Sequence, residues 1–165
     1  MLLFADSPPL HDMVKGVSWL LGKWRSEEGK GYYPTIQSFT YGEEVEFTHV
    51  GQPNLQFSFY SWRAADKNPL HRELGFVRVK PNSNQVALII AANIGVCEVE
   101  EGTYTDNHMQ LESHTVGGLT FRKPPAVKKV RRTFTRNGDK LVQVLDMETE
   151  NTPMTEHLRI TYTKI

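Results

Sequence analysis

Residues 44–59 read EVEFTHVGQPNLQFSF, and this stretch shows the pattern that decides the fold. Apolar and polar residues alternate on both sides of a Gly-Gln-Pro-Asn segment, which has the composition of a turn. Alternation with a period of two is typical of β-strands that have one buried face and one solvated face. The apolar positions are Val45, Phe47, Leu55, Phe57 and Phe59. We therefore predict two strands here, joined by a turn.

The rest of the chain has the same character. Further short segments follow, among them the continuous apolar run VALIIA at 86–91, and turn-forming residues separate them. The Asn-Gly pair at 137–138 is a strong signal for a short hairpin. The segments number about ten, at the spacing of roughly 8–12 residues that all-β sandwiches and barrels show. Periodicity does not choose between these two folds, although a closed barrel removes exposed edges and has room for a ligand above eight strands.

A helix is predicted only near the N-terminus. After Pro8 and Pro9, apolar residues recur at helical spacing as far as Gly22, a residue suited to end a helix. We expect a short helical lead-in over residues 8–21 that packs as a plug against one end of the fold. No linker, repeat or low-complexity stretch divides the sequence, so residues 1–165 are interpreted as a single domain.

The charge balance argues against a nucleic-acid partner. Nineteen basic residues balance nineteen acidic ones, whereas binding to phosphates requires clustered positive charge. The local exception is the run KKVRR at 128–132. We interpret this run as a solvated strand edge whose charges discourage pairing with another chain.

The N-terminus and the cysteine content bear on the compartment. The segment MLLFA at 1–5 lacks the basic region of a signal peptide, and no apolar run approaches the roughly 20 residues of a membrane helix. Cys97 has no partner for an internal disulfide, which favours a reducing compartment, and we expect it to be a small buried hydrophobe. The sequence thus predicts a soluble protein, cytoplasmic or nuclear, without a membrane partner.

Six histidines are the main candidates for chemistry, because the motifs of most enzyme classes are absent. The sequence holds no His-Glu-x-x-His, no Gly-x-Ser-x-Gly and no glycine-rich phosphate loop. We expect His108 and His114 to face solvent, and His11 belongs to the N-terminal polar segment. His49 continues the apolar face of its strand, so a hydrogen-bonded interior histidine is expected there. A local salt link is the simplest interpretation of His71.

The sixth histidine, His157, lies in PMTEHLR at 153–159, at the start of the last predicted strand. A single histidine is more often structural than a ligand. Strand parity places Leu158 and Ile160 on the apolar face and His157 on the other face, together with Arg159. An inward His157 therefore requires either a bulge that resets the parity or an inner wall that is partly polar.

Seven segments, in order along the chain, resemble the nitrobindin family, and most closely the nitrobindin-type domain that ends certain THAP zinc-finger proteins. They are LGKW at 21–24, GYYPTI at 31–36, YGEEV at 41–45, HVGQP at 49–53, LHRELG at 70–75, GVCEVEEG at 95–102 and PMTEHL at 153–158. The resemblance departs at Ser26 and Glu28, where the family's Gly-x-Trp-x-Gly-x-Gly motif has glycines. This departure bears on the local path of the backbone.

The resemblance implies an all-β fold, a ten-stranded antiparallel closed β-barrel related in shape to lipocalins and fatty-acid-binding proteins. It also implies a ferric heme b near the mouth of the barrel. The proximal metal ligand would be His157, and Thr35 would contact the heme edge or a propionate. A carbonyl or carboxylate is expected on the second ring nitrogen of His157.

The activity that the resemblance implies is heme-dependent isomerisation of peroxynitrite to nitrate, by a protein that also binds nitric oxide. An apolar wall opposite the ligand would favour the ferric state. Candidates for that wall are Leu70, Val86, Leu88, Ile90 and Ile94. Two alternatives stay open: a nitric oxide carrier or sensor without turnover, and a heme-free barrel that binds a fatty acid or a similar apolar ligand.

Overall fold

The computed structural model describes residues 8–165. The segment MLLFA at 1–5, to which the signal-peptide prediction applies, lies outside the described residues. Among the residues described, no helix combines the length and the hydropathy that a membrane span requires.

A short helix and ten strands make up the described chain, residues 8–165. The helix is a 3₁₀-helix at Asp12–Leu20, within the stretch for which the sequence predicts a helical lead-in. The strands are β1 (Gly22–Tyr33), β2 (Ile36–Thr48), β3 (Asn54–Arg63), β4 (Pro69–Val79), β5 (Gln85–Ala92), β6 (Val96–Tyr104), β7 (His108–Gly118), β8 (Val127–Asn137), β9 (Lys140–Thr149) and β10 (Thr155–Lys164).

These strands close into one antiparallel barrel with the order β1-β10-β9-β8-β7-β6-β5-β4-β3-β2. Each strand pairs with the next one along the chain, and β1 pairs with β10 to complete the circle. Closure pairs the backbone groups that two edge strands would otherwise expose. The prediction of an all-β, ten-stranded, antiparallel closed barrel is confirmed.

Because successive strands run in opposite directions, the turns fall at two ends of the barrel. The turns that follow β1, β3, β5, β7 and β9 lie at one end, which we call the open end. The remaining turns and the N-terminal helix lie at the other, the closed end.

Apolar side chains fill the closed end. Val14, Val17 and Leu20 of the helix are fully buried, as is Trp24 at the start of β1. The indole Nε1 of Trp24 donates to the Leu20 carbonyl at 2.7 Å, and Trp19 Nε1 donates to a carbonyl of the β6–β7 turn at 3.1 Å. A buried indole needs such an acceptor, so these bonds fix the helix as a plug.

The segment in which the chain departs from the nitrobindin glycine motif is irregular but remains part of β1. The pairing of β1 with β2 changes register between Ser26 and Gly29. Gly29 itself lies against an aromatic ring, since a Cβ there would stand 2.7 Å from the ring of Tyr41. The glycine losses at Ser26 and Glu28 therefore coincide with a bulge, and the barrel still closes around it.

Candidate functional site

A cavity of about 460 Å³ lies in the half of the barrel nearer the open end. Its volume falls within the range of about 300–1,000 Å³ that is usual for small-molecule sites. Near the mouth its lining is largely apolar, and deeper in the barrel the lining becomes polar. The apolar part includes Phe39, Leu70, Ala92, Ile94, Val96, Val127, Leu145, Met147 and Leu158. The polar part includes Glu43, Ser61, Glu73, Glu98, Arg132 and Gln143.

His157 lies on the wall of this cavity, and a bulge explains how it gets there. The register between β10 and β9 shifts between Glu156 and Leu158, so that His157 is the extra residue. An extra residue lets two successive side chains face the same side of a sheet. Both His157 and Leu158 line the cavity. Of the two explanations that strand parity left open for an inward His157, the structure thus shows the bulge.

The ring of His157 is held so that one nitrogen stays available. Its Nδ1 lies 3.0 Å from the Tyr32 carbonyl, and because a carbonyl only accepts, Nδ1 carries the hydrogen and donates. Burial lowers the pKa of His157, which favours the neutral ring with a lone pair on Nε2. The expected carbonyl or carboxylate on the second ring nitrogen is the Tyr32 carbonyl. The Glu156 carboxylate instead accepts a hydrogen bond from Arg159 Nε at 2.8 Å.

Tyr33 supports the same ring. Its side chain packs edge-on against His157, with ring centroids 5.3 Å apart, and its hydroxyl donates to the Met147 carbonyl at 3.0 Å. Tyr32 and Tyr33 therefore fix both the orientation and the tautomer of His157, a feature typical of metal-binding histidines.

The wall across the cavity from His157 is mostly apolar. In a ring of ten strands β5 lies five strands from β10 in either direction, with β4 and β6 beside it. Of the residues predicted for an apolar wall, Leu70 and Ile94 line the cavity. The prediction is wrong for Val86, Leu88 and Ile90, which are buried in the packed core.

His71 also lies on this wall, next to Leu70. Its Nε2 stands 3.0 Å from Glu73 Oε1, the local salt link that the sequence suggested. What sequence reasoning missed is that the link lies inside the cavity. The signal for this was available, because His71, Glu73, Gly75 and Val77 share one face by alternation, and that face is the buried one.

A buried arginine organises the deeper, polar part of the cavity. Arg132 is 2% exposed. Its Nη2 lies 3.1 Å from Glu73, its Nε donates to Glu100 at 3.2 Å, and its Nη1 donates to Gln143 at 2.9 Å. Two acidic side chains thus surround one guanidinium in a desolvated place, where a lone charge would be costly, and burial raises the pKa of one of them, Glu100.

The interpretation of residues 128–132 as a solvated edge is therefore wrong for Arg132. β8 is not an edge, and alternation along it turns Val130, Arg132 and Phe134 inward. Lys129 and Arg131 do face outward and pair with Glu112. The period-two pattern contained this information, but the run of positive charge concealed it.

The acids around Arg132 differ in protonation. Burial raises the pKa of Glu43 to about 7, and burial also raises the pKa of Glu98. Burial alone would raise the pKa of Glu73 as well, but the Arg132 and His71 charges lower it to about 2. The cavity wall therefore carries ionised Glu73 together with acids that hold their protons near neutral pH. Within residues 8–165, Tyr41 Oη and Glu98 Oε2 are buried without a hydrogen-bond partner.

Thr35, the second residue predicted to contact heme, does not lie with His157. It is exposed in the β1–β2 turn at the open end, outside the cavity lining. It follows Tyr33 by two residues, in the turn that joins β1 to β2.

Three other residues differ from their expected surroundings. Cys97 is exposed rather than buried, because it faces outward from β6. The prediction of an interior histidine is wrong for His49, because β2 ends at Thr48 and His49 lies in the turn that follows. There its Nδ1 accepts a hydrogen bond from the Gly51 amide at 3.3 Å. His108 is half-buried and bonds Thr135 Oγ1 at 2.9 Å, whereas His114 is exposed as predicted.

Comparison with known proteins gives consistent matches. A family model described as the THAP4-like, heme-binding β-barrel domain matches residues 13–164. The Homo sapiens protein named peroxynitrite isomerase THAP4 is 44% identical over 162 residues, which are 97% of this chain and 28% of that protein. An Arabidopsis thaliana protein named peroxynitrite isomerase Rv2717c is 36% identical over 97% of this chain and 93% of its own length.

The fold has a match among solved structures as well. The crystal structure of Rv2717c from M. tuberculosis superimposes with a TM-score of 0.86 and 34% sequence identity, covering 95% of this chain and 99% of that one. The chain spans about a quarter of the THAP4 proteins and nearly all of the Arabidopsis relative. This chain belongs to the family of THAP4-like heme-binding β-barrel domains, as its resemblance to nitrobindins predicted.

Proposed function

We propose that this chain binds heme b through His157 and isomerises peroxynitrite to nitrate. The observation that carries the proposal is the Nε2 of half-buried His157, which has no partner among residues 8–165 and lies on the wall of a cavity with an apolar mouth. The names of the relatives support the reaction, and the Arabidopsis protein does so over nearly its whole length.

The residues present fit a heme. The macrocycle is apolar and its propionates are polar, and the apolar side chains of the cavity lie near the mouth, where propionates would reach solvent. His157 offers a neutral nitrogen whose partner, the Tyr32 carbonyl, orients the ring. When bound, heme would supply a Lewis-acidic, redox-active iron, and His157 would be the residue that holds it.

The reaction requires no proton transfer from a side chain of the protein. The rearrangement breaks the O–O bond of peroxynitrite and forms a third N–O bond within the same anion, so it needs no net proton or electron. The chain's contribution is to hold the His157 ring through Tyr32 and Tyr33 and to shield the cavity with the apolar side chains of β4 to β6. We assign no general acid or base.

Thr35 is proposed as a rim contact for the heme edge or a propionate. Its position in the exposed β1–β2 turn, two residues after Tyr33, supports this role. An exposed hydroxyl contributes little to affinity, so Thr35→Ala should weaken hemin binding by less than about tenfold. Competition for hemin with apomyoglobin would measure the change, and an unaltered affinity would remove Thr35 from the site.

A heme-free barrel for fatty acids is disfavoured by the charges of the cavity. A fatty acid needs a cationic partner for its carboxylate, and both arginines of the cavity lining are already paired, Arg132 with Glu73 and Glu100 and Arg63 with Asp66. A further carboxylate in this desolvated place would face ionised Glu73 without compensation.

Stopped-flow measurement of peroxynitrite decay, with nitrate and nitrite quantified, tests the reaction. We expect the hemin-loaded protein to accelerate decay in proportion to its concentration and to raise the yield of nitrate. The apoprotein, and a variant in which His157 is replaced by alanine, are the controls. A ferric protein that binds nitric oxide but leaves peroxynitrite decay at the uncatalysed rate would instead support the carrier or sensor.

We also propose a reducing compartment, cytoplasmic or nuclear. Cys97 is exposed on β6 and is the single cysteine of the sequence. Thiols that are exposed and unpaired persist where glutathione keeps them reduced. Imaging of the tagged full chain in its native cells, with thiol labelling of Cys97, would test this placement.

A further inference from the structure

His71 is held more rigidly than a simple surface salt link requires. The Ser61 hydroxyl accepts from the His71 amide at 3.1 Å and donates to the His71 carbonyl at 3.3 Å. These bonds lie at the irregularity where the pairing of β3 and β4 shifts between Tyr60 and Trp62, and Ser61 is 4% exposed. A buried hydroxyl thus replaces the missing backbone bonds and fixes the place at which His71 enters the cavity.

The side chain of His71 is fixed as well. Its Nε2 bonds Glu73, and Glu73 is bonded in turn to the buried Arg132. Arg132 keeps Glu73 ionised, and an ionised carboxylate only accepts, so Nε2 carries the hydrogen and donates. No hydrogen bond of Nδ1 is seen among residues 8–165. Nδ1 is therefore the ring atom that remains free for another partner, and it donates to an anion only when it carries a hydrogen as well.

His71 also presents to the cavity a ring nitrogen, Nδ1, that has no partner among residues 8–165. The two arginines of the cavity lining are already in ion pairs, Arg132 with Glu73 and Glu100 and Arg63 with Asp66. The other side chains near His71 on this wall, Leu70, Ala92, Ile94 and Val96, offer no hydrogen-bond donor. A small anion that enters opposite His157 meets mostly apolar carbon on this wall, where the polar side chains are His71 and the acids Glu73 and Glu98.

We propose that His71, carrying a hydrogen on both ring nitrogens when the anion is bound, holds small linear or bent anions, such as azide, nitrite or peroxynitrite, on the cavity wall that faces His157. Glu73 and Ser61 are positioning residues that hold the ring for this contact. The inference rests on the proposed heme function and adds to it a polar contact for the anion on a wall that is otherwise mostly apolar.

Azide titration of the ferric, hemin-loaded protein, followed by its absorption spectrum, tests the proposal. We expect His71→Leu to weaken azide binding by about tenfold to a hundredfold, the factor expected for the loss of one hydrogen bond to a charged group. His71→Gln keeps a donor of similar reach and should stay within about threefold of the wild type. Exposed His114, on the outer surface, provides the matched control, and His114→Leu should leave azide affinity unchanged.

Carbon monoxide binding to the ferrous protein separates a lost hydrogen bond from a change of shape. Carbon monoxide is neutral, so His71→Leu should alter its affinity less than the affinity for azide. The proposal is overturned if His71→Leu binds azide as the wild type does, or if azide and carbon monoxide weaken equally. Failure of the wild-type chain to take up hemin is a different result, because it would overturn the proposed function itself.

Discussion

The two halves of the barrel use the same strands for different purposes. In the closed half, the side chains are apolar, aromatic and fully packed, as at Trp24, Phe57 and Phe134. In the open half, the same strands enclose a cavity and bury ionisable groups, with Arg132 and Glu100 at 2% and 0% exposure. Buried charge and empty volume both cost stability. The difference indicates that the closed half stabilises the fold and the open half carries the site.

The aromatic cluster of the closed half should show the largest effect on stability. Phe134 is fully buried and packs against Phe47 and Phe59, with ring centroids 6.2 and 6.3 Å apart. Phe134→Ala should lower the free energy of unfolding by about 4 kcal/mol, because it leaves a cavity in a packed core. Urea denaturation would measure this loss. Phe76→Ala, at a half-exposed position on the outer wall, is the control and should cost less than about 1 kcal/mol.

The heme absorption spectrum tests whether the two halves have separate roles. If the closed half also determined the surroundings of the heme, a variant in that half would change the spectrum. Once folded, the Phe134→Ala protein should keep the wild-type ferric heme spectrum. A displaced spectrum in that variant would show that the two halves are not separable.

The charge network around Arg132 in the open half should show the second-largest effect on stability. Arg132→Met leaves Glu73 and Glu100 buried without their cation, at a cost of about 3 kcal/mol at pH 7. Glu73 has its pKa held at about 2 by Arg132 and His71, against the rise that burial alone would cause, so its stabilisation is present above pH 4.5 and is lost as pH falls toward 2. The difference between variant and wild type should therefore shrink in acid.

Neighbouring Arg131 offers a matched control for that experiment. It is 40% exposed and pairs with Glu112 on the outer surface. Arg131→Met should change stability by less than about 1 kcal/mol, since exposed ion pairs contribute little. Equal losses from Arg131→Met and Arg132→Met would contradict the account of a buried, organising arginine.

A pH dependence of opposite sign is expected from Glu43. Burial raises its pKa from 4.5 to about 7, so the folded state keeps a proton that the unfolded state releases. Its contribution to stability is complete below pH 4.5 and is lost as pH rises to about 7. A glutamine at this position cannot ionise. The free energy of unfolding of Glu43→Gln, relative to that of the wild type, should therefore rise by about 2 kcal/mol between pH 5 and pH 8. Urea denaturation at both pH values would measure this change. A difference in stability between variant and wild type that is the same at pH 5 and pH 8 would argue against a protonated Glu43.

The smallest effect is expected at Tyr33, whose hydroxyl bonds Met147 while its ring supports His157. Tyr33→Phe removes one hydrogen bond and keeps the ring, so it should cost about 1 kcal/mol of stability. Hemin affinity should change by less than about threefold. A large loss of hemin binding in this variant would mean that the hydroxyl, rather than the ring, supports the site.

Sequence reasoning reached the fold because alternation is a local signal. Residues 44–59 and the Asn-Gly pair at 137–138 define strands and turns without reference to the rest of the chain. The position of His157 depends instead on an extra residue between Glu156 and Leu158, which parity alone does not reveal. The network of Arg132 joins strands β4, β6, β8 and β9, so only the closed barrel brings its members together. Cys97 shows the reverse error, since residue type suggested burial and strand parity decides exposure.

The most direct test of the central claim is the absorption spectrum of hemin-loaded protein, wild type beside His157→Ala and His71→Ala. We predict a ferric Soret band for the wild type that shifts with nitric oxide. His157→Ala should lose or displace this band, whereas His71→Ala, which removes the other histidine of the cavity lining, should keep the wild-type coordination. A His157→Ala protein with the wild-type spectrum, or one in which only His71→Ala loses the band, would contradict His157 as the iron ligand.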